Sequence, residues 1–118
     1  MLRFYSIDSD NNEVKYFSPF VREKNTLIFE DKSVNNTKVF LTIGENIKIE
    51  RHGNINMSFL FDLDNLTLGM YENELGLKAE FIIKTNELLV SNNNVIIAYD
   101  LYLDSEKISG HRIVIDFK

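Results

Sequence analysis

Along most of this chain apolar and polar side chains change places at every second residue, and a repeat of two describes a half-buried β-strand. Ile47 and Ile49 alternate with Lys48 and Glu50, after the turn Gly44-Glu45-Asn46. Met57, Phe59, Phe61 and Leu63 share one parity, and Leu66, Leu68 and Met70 share another, opposite Thr67, Gly69 and Tyr71. Leu77, Ala79, Phe81 and Ile83 form a third run, and Val95, Ile97, Tyr99, Leu101 and Leu103 a fourth. Ile113, Ile115 and Phe117 follow near the end. The first third alternates less cleanly, but 2–7, 14–20, 26–30 and 37–43 carry enough Val, Ile, Phe, Tyr and Thr to be strands.

Clusters rich in Asn and Asp separate the runs, among them Ser9-Asp10-Asn11-Asn12, Asp62-Leu63-Asp64-Asn65 and Ser91-Asn92-Asn93-Asn94. These residues tolerate left-handed backbone and bond their own main chain, which suits hairpin corners. Corners recurring about every ten residues point to an antiparallel barrel or sandwich joined by hairpins. Pro19 cannot donate to a ladder, so it marks an edge or bulge. The expectation is one all-β domain over 1–118, an up-and-down antiparallel β-barrel of about 8–10 strands with little or no helix. Two packed sheets are the alternative. Met57, Phe59, Phe61, Phe81, Tyr99, Leu101 and Phe117 are expected to point inward.

Composition narrows the function classes. The 118 residues suit a single domain, which at this size buries roughly two-thirds of its unfolded surface. No cysteine is present, which excludes disulfides, thiolate nucleophiles and cysteine-ligated zinc. A net charge of -5, with the basic residues scattered singly, gives no phosphate-binding stripe, so nucleic acid is not expected. No run of apolar residues is long enough to span a membrane as a helix, and the first residues lack a signal peptide's apolar stretch. A cytoplasmic location is expected. The 14 Asn and 13 Ile against two Ala fit an AT-rich bacterial coding bias.

Arg51 is the most informative single residue. It continues the inward parity of Ile47 and Ile49, and the later strands offer no carboxylate on that face. A buried unpaired charge costs several kcal/mol, so Arg51 either anchors an anionic ligand or another polar partner, or reaches solvent past Gly53. Tyr99, Tyr71 and Thr85 would supply hydroxyls to such a pocket, or simply satisfy backbone partners. His52 points outward by parity, and His111 shares the face of Ile113. Neither has acids at a metal-ligand spacing, so no metal and no cofactor is expected. Asp62-Leu63-Asp64-Asn65 lacks the glycine and closing glutamate of a calcium loop. No nucleophile elbow, phosphate loop or dinucleotide fingerprint occurs, and no catalytic residue is assigned.

Several segments together carry a family resemblance: Ile49-Glu50-Arg51-His52-Gly53, then Met57 and Phe61, Tyr71 with Gly76 five residues on, Thr85, and Ile97-Ala98-Tyr99-Asp100. In this order they resemble the YwiB-like family of small bacterial proteins. The likeness runs from the first strand to the last, including Phe29-Glu30, where relatives often carry a tyrosine and acids. It implies a calycin-like, lipocalin-related barrel in the cytoplasm, and no established activity. The chain departs from the lipid carriers of the wider group: it has no tryptophan, and His111-Arg112-Ile113 lacks their carboxylate-holding arginine and tyrosine.

The leading expectation is therefore a non-enzymatic barrel that binds a small apolar or anionic molecule near Arg51. A second is a protein-interaction module or homodimer, docking through outward-facing Ile82, Ile96, Ala98 and Tyr102. A third, a small hydrolase or isomerase, would need a cleft with convergent polar groups and a perturbed titratable side chain.

Overall fold

The computed structural model describes all residues, Met1–Lys118, as eleven β-strands and no helix. These are β1 (Leu2–Asp8), β2 (Glu13–Ser18), β3 (Phe20–Glu23), β4 (Thr26–Glu30), β5 (Thr37–Ile43), β6 (Ile47–Gly53), β7 (Asn56–Phe61), β8 (Thr67–Glu72), β9 (Lys78–Val90), β10 (Asn94–Leu103) and β11 (Glu106–Asp116). All pairings are antiparallel, in the order β2-β1-β11-β10-β9-β8-β7-β6-β5-β4-β3. The meander curls until β1 lies beside β11, giving a nearly closed barrel, as the repeat of two leads one to expect. No helix is long and apolar enough to cross a membrane.

The two ends of the sheet, β2 and β3, are consecutive in the chain and meet at Pro19. Residues 14–20, expected as one strand, are cut there, which lifts the count above ten. Side chains bridge the gap: Ser18 Oγ accepts from Glu30 N at 3.1 Å and donates to Pro19 O at 2.7 Å. The Tyr16 ring lies 6.5 Å from Phe29, and Phe20 meets Phe117 edge-on. One-residue bulges between Ala98 and Tyr99 and between Leu101 and Tyr102 interrupt the long β9–β10–β11 ladders, and such insertions bend and twist a strand. Asp104 and Ser105, both at positive φ, form the two-residue corner that matches the strand twist.

The inward set expected from parity lines the interior: Phe59, Phe61, Tyr99, Leu101 and Phe117 are buried, and Met57 and Phe81 half-buried. Strand β8 breaks the pattern. Its large apolar residues, Leu68 and Met70, face solvent, and Thr67, Gly69 and Tyr71 face in. The reason is space. A Cβ on Gly69 would sit 2.7 Å from Phe59 Cδ1 and 2.8 Å from Ile83 Cδ1, so the neighbouring strands already fill this part of the interior. Leu63 and Leu77 lie just outside their strands and are exposed.

At Gly53 the backbone itself is crowded. Its φ is 142°, and a Cβ there would lie 1.8 Å from Asn36 O and 2.9 Å from Thr37 Cα. Only a residue without a side chain lets the start of β5 pair this closely with the end of β6, where Thr37 opposes Gly53. That approach holds the 31–36 turn against the barrel wall beside Arg51.

Candidate functional site

The interior is not filled throughout. A cavity of about 350 Å³ opens among Phe4, Val39, Ile49, Phe59, Leu101 and Ile113, with Arg51, Tyr16, Tyr71, Tyr99 and His111 also in its wall. Its deeper lining is buried, whereas Met57, Tyr71, Ser109 and exposed Ile108 mark the side nearer solvent. This size falls within the range of small-molecule pockets, about 300–1,000 Å³.

Arg51 stands in that wall with its side chain 24% exposed, and its Nε lies 3.3 Å from Oδ2 of Asp31, whose side chain is fully buried. The two make an ion pair without the alignment of a hydrogen bond. The acid that inward parity did not find on the later strands comes instead from the turn after β4. Asp31 Oδ1 accepts from Ser33 N at 2.9 Å and from Ser33 Oγ, and Asp31 N donates to Thr37 O at 2.9 Å. These bonds fix the carboxylate so that Oδ2 faces Arg51. A signal for it existed: Asp31 continues the inward parity of Leu27 and Phe29, one step past the strand end.

Tyr16, also absent from the candidates read in sequence, stacks on Phe4 with ring centroids 4.8 Å apart. It is 8% exposed, and its hydroxyl has no hydrogen-bond partner in the protein. Burial, reinforced by the Asp31 charge and opposed by Arg51, raises its ionisation well above the ordinary tyrosine value. Burial likewise raises Tyr99, again opposed by Arg51. Tyr99 stacks on His111 at 5.0 Å. Burial lowers the His111 pKa, and the charges of Asp8 and Asp100 act in the other direction. All three rings are thus biased toward their neutral forms.

Of the four residues singled out for a pocket, Arg51, Tyr71 and Tyr99 share the cavity wall. Thr85 opposes Tyr99 across β9–β10 and is buried with Oγ1 unpartnered, but it is not part of the cavity wall. His52 faces out, edge-on to Phe40, as parity requires. On the same side of the cavity as His111, Ser109 Oγ lies 2.7 Å from His111 Nε2. A serine against a neutral imidazole is part of a nucleophilic site. Neither nearby acid completes it: Asp8 is bonded to Asp10 N and to Asn12, and Asp100 to Asn86 and Lys107. No group of three metal-binding side chains occurs.

The outer patch also differs from expectation. Ile82 is flanked in register by Leu68 and Tyr102, whereas Ile96 lies in another row between Leu89 and Val114. Ala98 sits between Glu87 and Arg112, which pair at 3.2 Å, so the four residues do not form one apolar surface.

Comparison with known proteins adds the family. The crystal structure of the YwiB protein from Bacillus subtilis superposes with a TM-score of 0.69 over 99% of this chain and 89% of that one, at 16% identity, a likeness of fold. No curated protein matches the chain. Residues 6–115 match the family described as domain of unknown function DUF1934, and with the barrel and the YwiB match in view, the chain belongs to that YwiB-like family.

Proposed function

We propose that this protein binds a small molecule inside its barrel and performs no chemistry on it. The observation that carries the reading is the cavity of about 350 Å³, apolar over most of its wall and provided with a few convergent polar groups. Apolar walls supply affinity through the area removed from water, and the polar groups orient the guest. The unfinished Ser109–His111 pair supports a non-enzymatic role over a hydrolase. A calycin-like relationship and a cytoplasmic location belong to the same proposal, and cell fractionation tests the second.

Native mass spectrometry of protein taken gently from its host tests the binding reading. Extra mass should accompany the chain and disappear in Met57→Trp, which fills the cavity mouth. A bare chain that also takes up no neutral apolar dye would remove the reading.

A second reading, self-association, rests on exposed Leu68 and Ile82 facing solvent side by side. Sedimentation at high concentration tests it: a homodimer supports it, and a strict monomer counts against it.

A further inference from the structure

Arg51 stands where the interior meets the surface. With Met57 and Tyr71 it lines both the cavity and a shallow hollow on the outside, to which Asn56, Glu72 and Lys78 also belong. The three form one inward row across β6, β7 and β8, with Arg51 opposite Met57 and Met57 opposite Tyr71. A guest whose polar end points at this row keeps that end beside the guanidinium and partly hydrated, while its body lies deeper.

The guanidinium has donors to offer there. Only Nε meets Asp31, at 3.3 Å, and Nη1 and Nη2 have no acceptor within the protein. The Arg51 side chain keeps 24% of its surface, whereas that of Asp31 keeps none and does not line the cavity. The ion pair therefore has a direction, with its cation on the cavity side and its anion set behind. The two ends are felt in different places: at Tyr16 the Asp31 charge outweighs that of Arg51, and at Tyr99 Arg51 acts without Asp31. No Asp or Glu lines the cavity, and in the outer hollow Lys78 offsets the one acid, Glu72, at 3.6 Å. On a chain of net charge -5, this mouth is a place where a cation faces no competing acid.

The rest of the wall shapes the body of the guest. Six aromatic rings line it, those of Phe4, Tyr16, Phe59, Tyr71, Phe81 and Tyr99. Phe59 meets Phe81 edge-on at 6.4 Å and Tyr99 edge-on at 6.2 Å. Ring faces and edges placed in this way favour another flat ring beyond the area it buries.

We propose that the cavity takes a compact aromatic monocarboxylate, its ring among Phe59, Phe81 and Tyr99 and its carboxylate at the mouth on Nη1 and Nη2 of Arg51. A planar anion with two oxygens matches two parallel N–H donors, which a single neutral carbonyl cannot do. Because the head stays partly wet, it escapes most of the desolvation that opposes an ion sealed in an interior. Asp31 steadies the guanidinium from behind. This rests on the binding role proposed above and names its ligand class.

The test titrates the full chain, loaded with the neutral apolar fluorophore N-phenyl-1-naphthylamine, with 2-naphthoate, 2-naphthamide or octanoate at pH 7.5. The naphthoate should displace the dye at about a tenfold lower concentration than the amide, the gain from a hydrogen bond to a charged group. It should also act at about a threefold lower concentration than octanoate, the gain from ring contacts. Arg51→Met with Asp31→Asn removes both charges together, and there the preference for naphthoate over the amide should fall below about twofold. A preference that persists in this variant would overturn the assignment to Arg51. In the parent, an amide that matches the naphthoate, or octanoate that displaces the dye first, would overturn the proposal while leaving cavity binding intact. Failure of the dye to bind the parent at all would overturn both.

Discussion

Replacing Gly53 by alanine should unfold the barrel far more readily than the same replacement at Gly76, and the structure gives the size of the difference. Both glycines have positive φ, 142° at Gly53 and 81° at Gly76. At Gly76 a Cβ meets nothing within 4 Å, so only backbone strain of about 1–2 kcal/mol applies. Lost freedom in the unfolded chain returns about 0.4–1 kcal/mol of that. The net loss should be about 1 kcal/mol or less. At Gly53 the strain is about 1–3 kcal/mol, and the added methyl collides with the Asn36 carbonyl at 1.8 Å. Asn36 is main chain, which cannot rotate aside as a side chain would, so relief requires parting β5 from β6 at a further cost of about 1–3 kcal/mol. After the same return of about 0.4–1 kcal/mol from the unfolded chain, a net loss of about 1–5 kcal/mol follows, a large share of the roughly 5–15 kcal/mol that holds a domain together. Urea denaturation followed by far-UV circular dichroism measures it. With a slope of about 2 kcal/mol per molar, Gly53→Ala should lower the midpoint by about 0.5–2.5 M and Gly76→Ala by about 0.5 M or less. Equal shifts in the two variants would refute the close approach of β5 to β6.

The Arg51–Asp31 pair makes a second prediction. Arg51→Ala leaves the Asp31 carboxylate buried without a counter-charge and should cost about 3 kcal/mol, whereas Arg51→Met with Asp31→Asn should cost less. Urea curves showing the double variant weaker than the single would contradict the pairing. His111 gives a pH dependence. Burial lowers its folded-state pKa below the ordinary 6.5, so the unfolded chain binds the proton more tightly. The contribution is fully present above pH 6.5 and declines as pH falls from there toward the folded value. Unfolding free energies measured across that window should fall toward acid in the parent and be flatter in His111→Asn, and equal slopes would count against a buried imidazole. The cross-barrel contact of Ser18 with Glu30 predicts that Ser18→Ala speeds amide exchange at Glu30; unchanged protection would show that this bond does not tie β2 to β4.

Most of the architecture was legible because burial and pleat share one period. Wherever a strand has one wet and one dry face, as at Val95–Leu103, the sequence alone assigns each side chain to its side. Strand β8 shows where that logic stops. Its leucine and methionine would have been assigned to the interior by hydrophobicity, but the space beneath Gly69 belongs to Phe59 and Ile83, and volume is a property of three strands together. Arg51 was legible as an inward charge and Tyr99 as a wall hydroxyl by the same alternation, whereas Tyr71 reaches the wall against it, from the β8 face opposite Leu68 and Met70. Asp31 was missed because it lies in a turn, where parity is not usually continued, and it reaches Arg51 because Gly53 lets the 31–36 segment approach. Tyr16 was missed because its strand alternates weakly and its burial depends on Phe4 and Phe29, which come from other strands. Thr85 shows the converse: alternation leaves it buried opposite Tyr99, but it takes no part in the cavity wall.

Xenon in crystals of the protein addresses the hollow interior most directly, since the gas enters dry apolar space and marks it by anomalous scattering. A peak among Phe59, Tyr99 and Leu101, lost in Met57→Trp, is the result that a partly empty barrel predicts. Side chains meeting across that space with no xenon between them would contradict it.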